Sequence, residues 1–520
     1  AWVKTINESC EATHIRGEQT TAVLSLRAQC LDRSRSELKA TIDILSHITT
    51  QGVDRAPDAV SLLSPTSECS AAQVALSPNE GVDGPERAEK LRSIQTNLAE
   101  VKTAVAHAMY DEAALALRQL DAQISRAKDK RGRAEWYFLS ATVERRHGDS
   151  KKAIANYYEA AWRAHAASME RMSIRAWSAL AYLETQVGAG FESGKRAFRQ
   201  ASSLIDRVGQ DDRLRGELQL SWGTALTKMG TFREAEQSLA EARSLLSNAP
   251  GYSVRDAIAL REAMAGLYAY EGRVTDAIVL QKEVIDAMKT EYGEHHRNLL
   301  DAYANLGAMY GYGGRDDLSL EPARRAVELM ELHHVVATAS ITALVNLSEI
   351  LLNLNALDEA EANAQRALSI CQNQFPDAHA ERAAVLVALG SIARARQQLA
   401  VAVEYHRSAL KLIPNASSRA MARAQAALGL DLLEQGKANE ALALFEQAKT
   451  STVYSQGHVT QAELEFAVAK ALAPQRAAGD QIHALATSAI QIYQKYDRLQ
   501  KAQEVQAWVQ QYSRMKKPAR

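Results

Sequence analysis

The sequence predicts an all-α fold, a right-handed superhelical solenoid of helical hairpins about 42 residues long. Three markers in phase predict it. A small residue recurs at Ala141, Ala181, Gly223, Ala265, Gly307, Ser348, Gly390 and Gly429, in steps of 40, 42, 42, 42, 41, 42 and 39. Seven residues after each comes a turn, marked by Gly148, Gly188, Gly230, Gly272, Gly314 and Gly436, with Asn355 and Gln397 at the other two places. Alanine then follows most turns at the fifth residue (Ala153, Ala235, Ala277, Ala360, Ala402, Ala441) and again near the end of each unit. That last series runs Ala160, Ala201, Ala242, Ala326, Ala367, Ala409, Ala448 and Ala489, interrupted by Val284.

One unit shows the physics. "AEWYFLSATVERRHGDSKKAIANYYEAAW" carries apolar residues at helical spacing on both sides of Gly148, so it reads as helix, tight turn, helix. A turn glycine accepts the left-handed backbone that ends the first helix. The small first marker lets the second helix come close. "WSALAYL" (177–183), "YANLGAMY" (303–310) and "ALFEQA" (443–448) resemble the tetratricopeptide repeat. The unit here is longer than that repeat's common form, which resembles the kinesin light chain type, as does "YGEHHRNLLDAYANLGAMY".

Composition agrees with a solenoid. Hydrophobic residues make up 47% while aromatics are only 6%, so the apolar surface is carried by Ala and Leu and no single large core is needed. Ten prolines in 520 residues suit an all-helical chain. With 61 basic and 62 acidic residues the net charge is −1, which argues against nucleic acid or an anionic membrane surface as partner. No apolar run is long enough to span a bilayer. The chain opens on "AWVKTINESC" with neither initiator Met nor signal peptide, as expected of a piece of a longer or processed protein.

In chain order, residues 1–80 form a separate helical module outside the repeat: a helix over about 2–14, a break at Gly17, a long helix over about 18–50 and a shorter one over about 53–63. A polar loop with Pro65 and Pro78 follows. The repeat array is expected over 84–495, as nine to ten units. Its first unit is irregular, with Met109-Tyr110-Asp111 where the turn glycine belongs. Pro250, Pro376 and Pro414 fall between units; Pro322 falls inside a second helix, which must either start late or kink. Residues 496–520 read as a capping helix and a basic tail.

The stretch "CEATHIRGEQTTAVLSLRAQCLDRSRSELKATIDIL" resembles the region after the membrane segment in receptor-like serine/threonine kinases of myxobacteria and their relatives. "AELEFAVAKAL", "ALATSAIQIYQKYD" and "VQAWVQQY" resemble the end of the repeat array in those proteins. The resemblance implies a sensor or partner-binding region outside the inner membrane, tethered by an upstream transmembrane helix to a kinase that this chain does not contain. The alternative is a stand-alone cytoplasmic scaffold on the same repeats.

Cys10, Cys30 and Cys69 fall in the N-terminal module. They are either three buried small hydrophobes or include one disulfide of an oxidising compartment. If the chain reverses near residue 51, Cys30 lies about 31 Å back along its helix. The return leg to Cys69 reaches about 35 Å. Cys10 and Cys30 are mismatched by about 9 Å around Gly17. The favoured pair is Cys30–Cys69, with Cys10 free or externally bonded and Cys371 in the core.

Catalytic motifs are missing from the sequence. There is no kinase glycine loop, H-R-D or D-F-G, no phosphate-binding G-x-x-x-x-G-K-[ST], no H-E-x-x-H and no G-x-S-x-G. "GYGGRDD" (311–317) reads as a repeat turn. His295–His296 and His333–His334 lack a spaced carboxylate or Cys to complete a metal set, and read as solvated loop residues. No cofactor is expected. The remaining function is binding on the groove lined by first helices. The residue two before each turn gives Arg146, Gln186, Lys228, Tyr270, Tyr312, Asn353, Ala395 and Glu434, with Arg145 and Tyr182 beside them. A ligand groove of Arg145, Arg146, Tyr182, Lys228, Tyr270 and Tyr312 suits a protein or peptide ligand, an acidic one in particular. The Lys/Asn clamp that captures acidic chain ends in chaperone-binding repeats is not met.

Overall fold

The computed structural model describes residues 2–46, 66–70, 85–106, 109–146, 149–186, 190–209, 211–249, 252–333, 335, 338–375, 379–413, 419–450, 459–474, 479–496 and 498–515. Among these residues every regular element is a helix. The chain divides into two compact units, residues 1–225 with 241–252, and residues 226–240 with 253–520.

In unit one, the helices Trp2–His14 and Thr21–Ser46 precede the repeats. The break at Gly17 takes a φ of +65°, which glycine adopts without a side-chain clash. Cys30 is disulfide-bonded to Cys69 of the short 3-10 helix Thr66–Cys69, with Cα atoms 5.5 Å apart. Arg27 is buried beneath this bond. It donates to the Cys69 carbonyl at 3.1 Å and to Gln19 at 2.8 Å, and pairs with Glu8. Trp2 Nε1 donates to the Leu31 carbonyl at 2.8 Å, tying the first helix to the second. Cys10 is exposed and unbonded. The expected helix over 53–63 and most of the Pro65–Pro78 loop lie outside the described residues. Hairpins follow at Pro85–Ala106/Tyr110–Ala127, Lys130–Arg146/Ser150–Ala166 and Glu170–Gln186/Phe191–Val208.

Among the described residues unit two holds the turn of the hairpin Asp212–Met229/Phe232–Asn248, whose outer ends belong to unit one, and six whole hairpins: Val254–Glu271/Val274–Tyr292, Leu299–Tyr312/Asp316–Leu332, Thr338–Asn353/Leu357–Gln374, His379–Ala395/Leu399–Leu412, Arg419–Glu434/Ala438–Lys449 and Val459–Leu472/Gly479–Lys495. A last helix, Leu499–Met515, packs on the sixth hairpin. The first begins with a capping box, in which Ser253 and Asp256 satisfy each other's backbone N–H. First helices pack on successive first helices from Leu299–Tyr312 onward, and so form an inner layer.

The period markers are the contact points of this packing. All eight alanines that close a unit are fully buried, as is Val284 in their series. The turns at Gly230, Gly272, Gly314 and Gly436 are left-handed, with φ between +74° and +87°. Asn355 and Gln397 take the same conformation at φ +60° and +64° although each carries a side chain, so the period survives the loss of glycine. Gly148, Gly188, Pro250, Pro376 and Pro414 lie outside the described residues. Pro322 sits within Asp316–Leu332, past the first turn, so the late-start option is corrected: the helix runs through it. Cys371 is buried in the core of the third and fourth hairpins.

Candidate functional site

Four first helices of unit two carry one stripe each of polar and aliphatic side chains, at helical spacing. Asn346, Glu349, Ile350 and Asn353 share a face of one helix, and Val387, Ser391 and Arg394 a face of the next. Arg423, Ala427, Leu430 and Glu434 continue the layer, and Thr460, Glu463, Ala467 and Lys470 complete it on the sixth hairpin. Together with Lys228, Tyr270 and Tyr312 these stripes line a cavity of 870 Å³. The cavity is bounded by the unit's own end. Arg498 donates to the carbonyl oxygen of Gly311. Tyr496 brings its hydroxyl against the turn at Gly272. Val274 packs into a cluster with Val459, Ile492, Tyr493 and Val505. Unit two is thereby a closed ring of hairpins, with the stripes on its inside.

Charge in the cavity is mixed. Its wall carries six basic side chains, Lys228, Arg394, Arg423, Lys470, Arg498 and Lys501, against five acidic ones, Asp316, Glu349, Glu434, Glu463 and Glu504. That balance does not single out an acidic ligand. Most of the charges are already engaged: Arg423 pairs with Glu349, and Lys501 with Glu504 at 3.4 Å. Arg394 donates to buried Asp431 at 3.2 Å and to the Ala427 carbonyl at 3.3 Å. Asp431 also meets His406 Nδ1 at 2.5 Å, while His406 Nε2 lies 3.2 Å from the Val387 carbonyl. Asp431 and His406 are fully buried, so this pair fixes Arg394 from behind.

Glu463 differs. Solvent reaches its carboxylate inside the ring, yet protein surrounds it, and that burial raises its carboxyl above the usual range against the opposing fields of Arg498, Lys501, Arg423 and Arg394. The Tyr493 phenol is pushed up by burial first and by Glu463 second. Lys470 is drawn down by burial and by Lys501. Its ammonium lies 4.0 Å over the Phe466 ring, to which Trp508 packs edge-on at 5.5 Å.

The residues singled out by sequence divide between the units. Lys228, Tyr270 and Tyr312 line the cavity, with Asn353 and Glu434 of the same positional series; Ala395 does not, but its neighbour Arg394 does. Arg145, Arg146 and Tyr182 belong to unit one. Arg146 is exposed there, 5.9 Å from the Tyr110 ring. The sequence reading missed Asn346, Arg423, Glu463, Lys470 and Trp508. Following the whole stripe back from Asn353 and Glu434, rather than one position per unit, reaches Asn346 seven residues earlier and Arg423 eleven residues earlier.

Of the two histidine pairs, His295 is exposed as expected and His296 is not. His296 is buried, not solvated, because its ring stacks on Tyr292 at 4.7 Å. His333 Nε2 meets the His295 carbonyl oxygen, and His334 lies outside the described residues. Among the described residues no group of three His, Cys, Asp or Glu side chains is placed to hold a metal ion, and no helix is long and apolar enough to cross a membrane.

The tetratricopeptide repeat family matches residues 255–331 and 339–415, within unit two. Among solved structures the chain is similar to the apo form of the quorum sensor NprR from B. thuringiensis, at 14% identity over 67% of this chain and 99% of that one, with a TM-score of 0.40. It is similar to NprR in complex with its cognate peptide NprX at 17% identity, over 67% and 98%, with a TM-score of 0.46. The apo form of RapI is similar at 12% identity, over 78% and 99%, with a TM-score of 0.42. No curated protein matches the chain.

Proposed function

We propose that the chain is a non-catalytic binding module that holds a peptide segment in the cavity of unit two. The observation that carries this is Asn346, a half-buried amide in the cavity wall that makes no hydrogen bond among the described residues. A side-chain amide offers one acceptor and two donors side by side, the complement of a peptide unit. Rings at Tyr270, Tyr312, Phe466 and Trp508 supply area for its side chains. The balanced wall does not favour a polyanion.

The test is fluorescence anisotropy with pooled, labelled heptapeptides, followed by photo-cross-linking of a bound pool. Cross-links are expected on the first helices of unit two, and Asn346→Ala is expected to weaken binding about tenfold, the loss of one or two hydrogen bonds in a half-dry site. Cross-links confined to unit one, with binding indifferent to Asn346→Ala, would refute the assignment.

The setting we propose is the extracytoplasmic side of a bacterial inner membrane, in the sensor region of a receptor-like serine/threonine kinase. The resemblance of the Cys10–Leu31 block supports it, and so does the Cys30–Cys69 bond, which suits an oxidising compartment. A cytoplasmic scaffold would keep those thiols reduced. Thiol titration of unreduced, denatured protein from its native compartment decides: two reactive thiols agree with the receptor setting, and four exclude it.

A further inference from the structure

Glu463 and Lys470 stand apart from the other charges of the cavity. Arg423, Arg394 and Lys501 each have an acidic partner, and Arg498 is held by the Gly311 carbonyl. Neither Glu463 nor Lys470 has an ion-pair partner among the described residues; the nearest engagement of Lys470 is the Phe466 ring. The two sit seven residues apart on Val459–Leu472, both in the cavity wall, with Phe466 between them. Seven residues along a helix is about 10.5 Å, and the two do not pair with each other among the described residues. That distance is the reach of about three residues of extended peptide.

An unpaired charge in a half-dry site is held at a cost, which a ligand group of opposite sign removes. Both side chains reach solvent inside the ring, yet the protein around them pushes both groups toward their neutral forms, the Glu463 carboxyl up against the fields of Arg498, Lys501, Arg423 and Arg394, and the Lys470 ammonium down. Phe466 and Trp508 occupy the interval between the two charges with apolar surface.

We infer that the occupant of this cavity is a peptide segment bearing a lysine or arginine side chain that pairs with Glu463, and an acidic group about three residues away that pairs with Lys470, with apolar side chains between. This rests on the peptide-binding reading and narrows it. The ligand is charge-balanced and amphipathic rather than acidic, and its two charges set its direction along the helix.

A positional library of N-acetylated heptapeptides, each pool with one residue fixed, is captured on the immobilised full chain and sequenced. The wild type should enrich pools with Lys or Arg, and with Asp or Glu three residues away, by about tenfold over neutral pools. Glu463→Gln should erase the basic preference and keep the acidic one; Lys470→Gln should do the reverse. Circular dichroism and melting confirm that each variant is folded. Enrichment of acidic residues alone, or preferences unmoved by both variants while peptides still bind, overturns this inference and leaves the peptide reading in place. Failure of every pool to bind above protein-free resin overturns the peptide reading itself.

Discussion

Arg498 donates a guanidinium hydrogen bond to the carbonyl oxygen of Gly311, a residue 187 positions earlier. Through it the loop before the last helix meets the turn of unit two's second hairpin. Its side chain also covers Gly314, where an added Cβ would lie 2.7 Å from Arg498 Cγ. The neighbouring turn is covered likewise: a Cβ on Gly272 would fall 2.1 Å from the Tyr496 hydroxyl. Two of the period's turn glycines thus carry a second duty, as the floor on which the ring closes.

That duty can be separated from the turn itself. Gly436 is a left-handed turn glycine with open space around its missing Cβ, at φ +77°. Gly436→Ala should cost about 1 kcal/mol, the conformational term alone. Gly272→Ala should cost that plus a collision, about 2–3 kcal/mol in all, and should raise hydrogen exchange in Leu499–Met515. Equal costs for the two substitutions would mean that the ring does not rest on Tyr496.

The first marker makes a graded prediction about packing. A Cβ on Gly307 would meet Ser319 O at 3.3 Å and Ala323 at 3.4 Å, close to ordinary contact. On Gly429 it would meet the Phe445 ring at 2.4 Å, and on Gly390 the His406 ring at 2.4 Å. Both partners stand sixteen residues after the marker, on the facing second helix. Gly307→Ala should be nearly neutral while Gly307→Leu costs about 1–3 kcal/mol, and Gly429→Ala should already cost that much. Urea midpoints measure all three, and a neutral Gly307→Leu would put the repeat phase out of register.

How much of this was written in the sequence follows from the range of each interaction. Hairpins, turns and buried alanines depend on neighbours within one unit, so Asn355 and Gln397 could be recognised as turns by position alone. The ring cannot be read that way. Its closure joins Arg498 to Gly311 and Val274 to Val459, and no period relates those residues. The cavity wall was half legible for the same reason. One position per unit finds Lys228, Tyr270 and Tyr312, but the sixth hairpin has no glycine turn to count from, so Glu463 and Lys470 were passed over. Arg146 matched the series without sharing the cavity, because a positional series does not show where a compact unit ends.

Glu262 should give the second unit a pH-dependent stability. Half-buried on Val254–Glu271, its carboxyl is raised to about 7 by burial and, secondarily, by Asp301. A carboxyl raised on folding holds a proton that the unfolded chain has released between about pH 4.5 and pH 7. Stability therefore falls as pH rises through that window and is flat below it. Glu262→Gln should leave stability unchanged at pH 4 and raise it at pH 8, on the order of 1 kcal/mol once solvent screening is discounted. Asp301→Asn should recover a smaller part. A wild-type and Glu262→Gln pair whose melting temperatures differ by the same amount at pH 4 and pH 8 would rule this out.

The last prediction concerns which aromatic and basic groups act as one site. Tyr270 lies in the cavity wall of unit two, whereas Arg145 and Arg146 belong to unit one. If the cavity holds the peptide, Tyr270→Ala should weaken binding about tenfold, because a buried ring contact of this kind is worth about 1–1.5 kcal/mol. The slope of affinity against salt should not change, since a ring contact is not screened. Lys228→Glu, by contrast, should alter that slope, because it reverses a charge at the cavity wall. Arg145→Ala with Arg146→Ala should leave both affinity and slope where they were. Melting temperatures should stay near the wild type for Tyr270→Ala and Lys228→Glu, as both side chains are only half-buried. A double arginine variant that loses peptide while Tyr270→Ala keeps it would move the site to unit one.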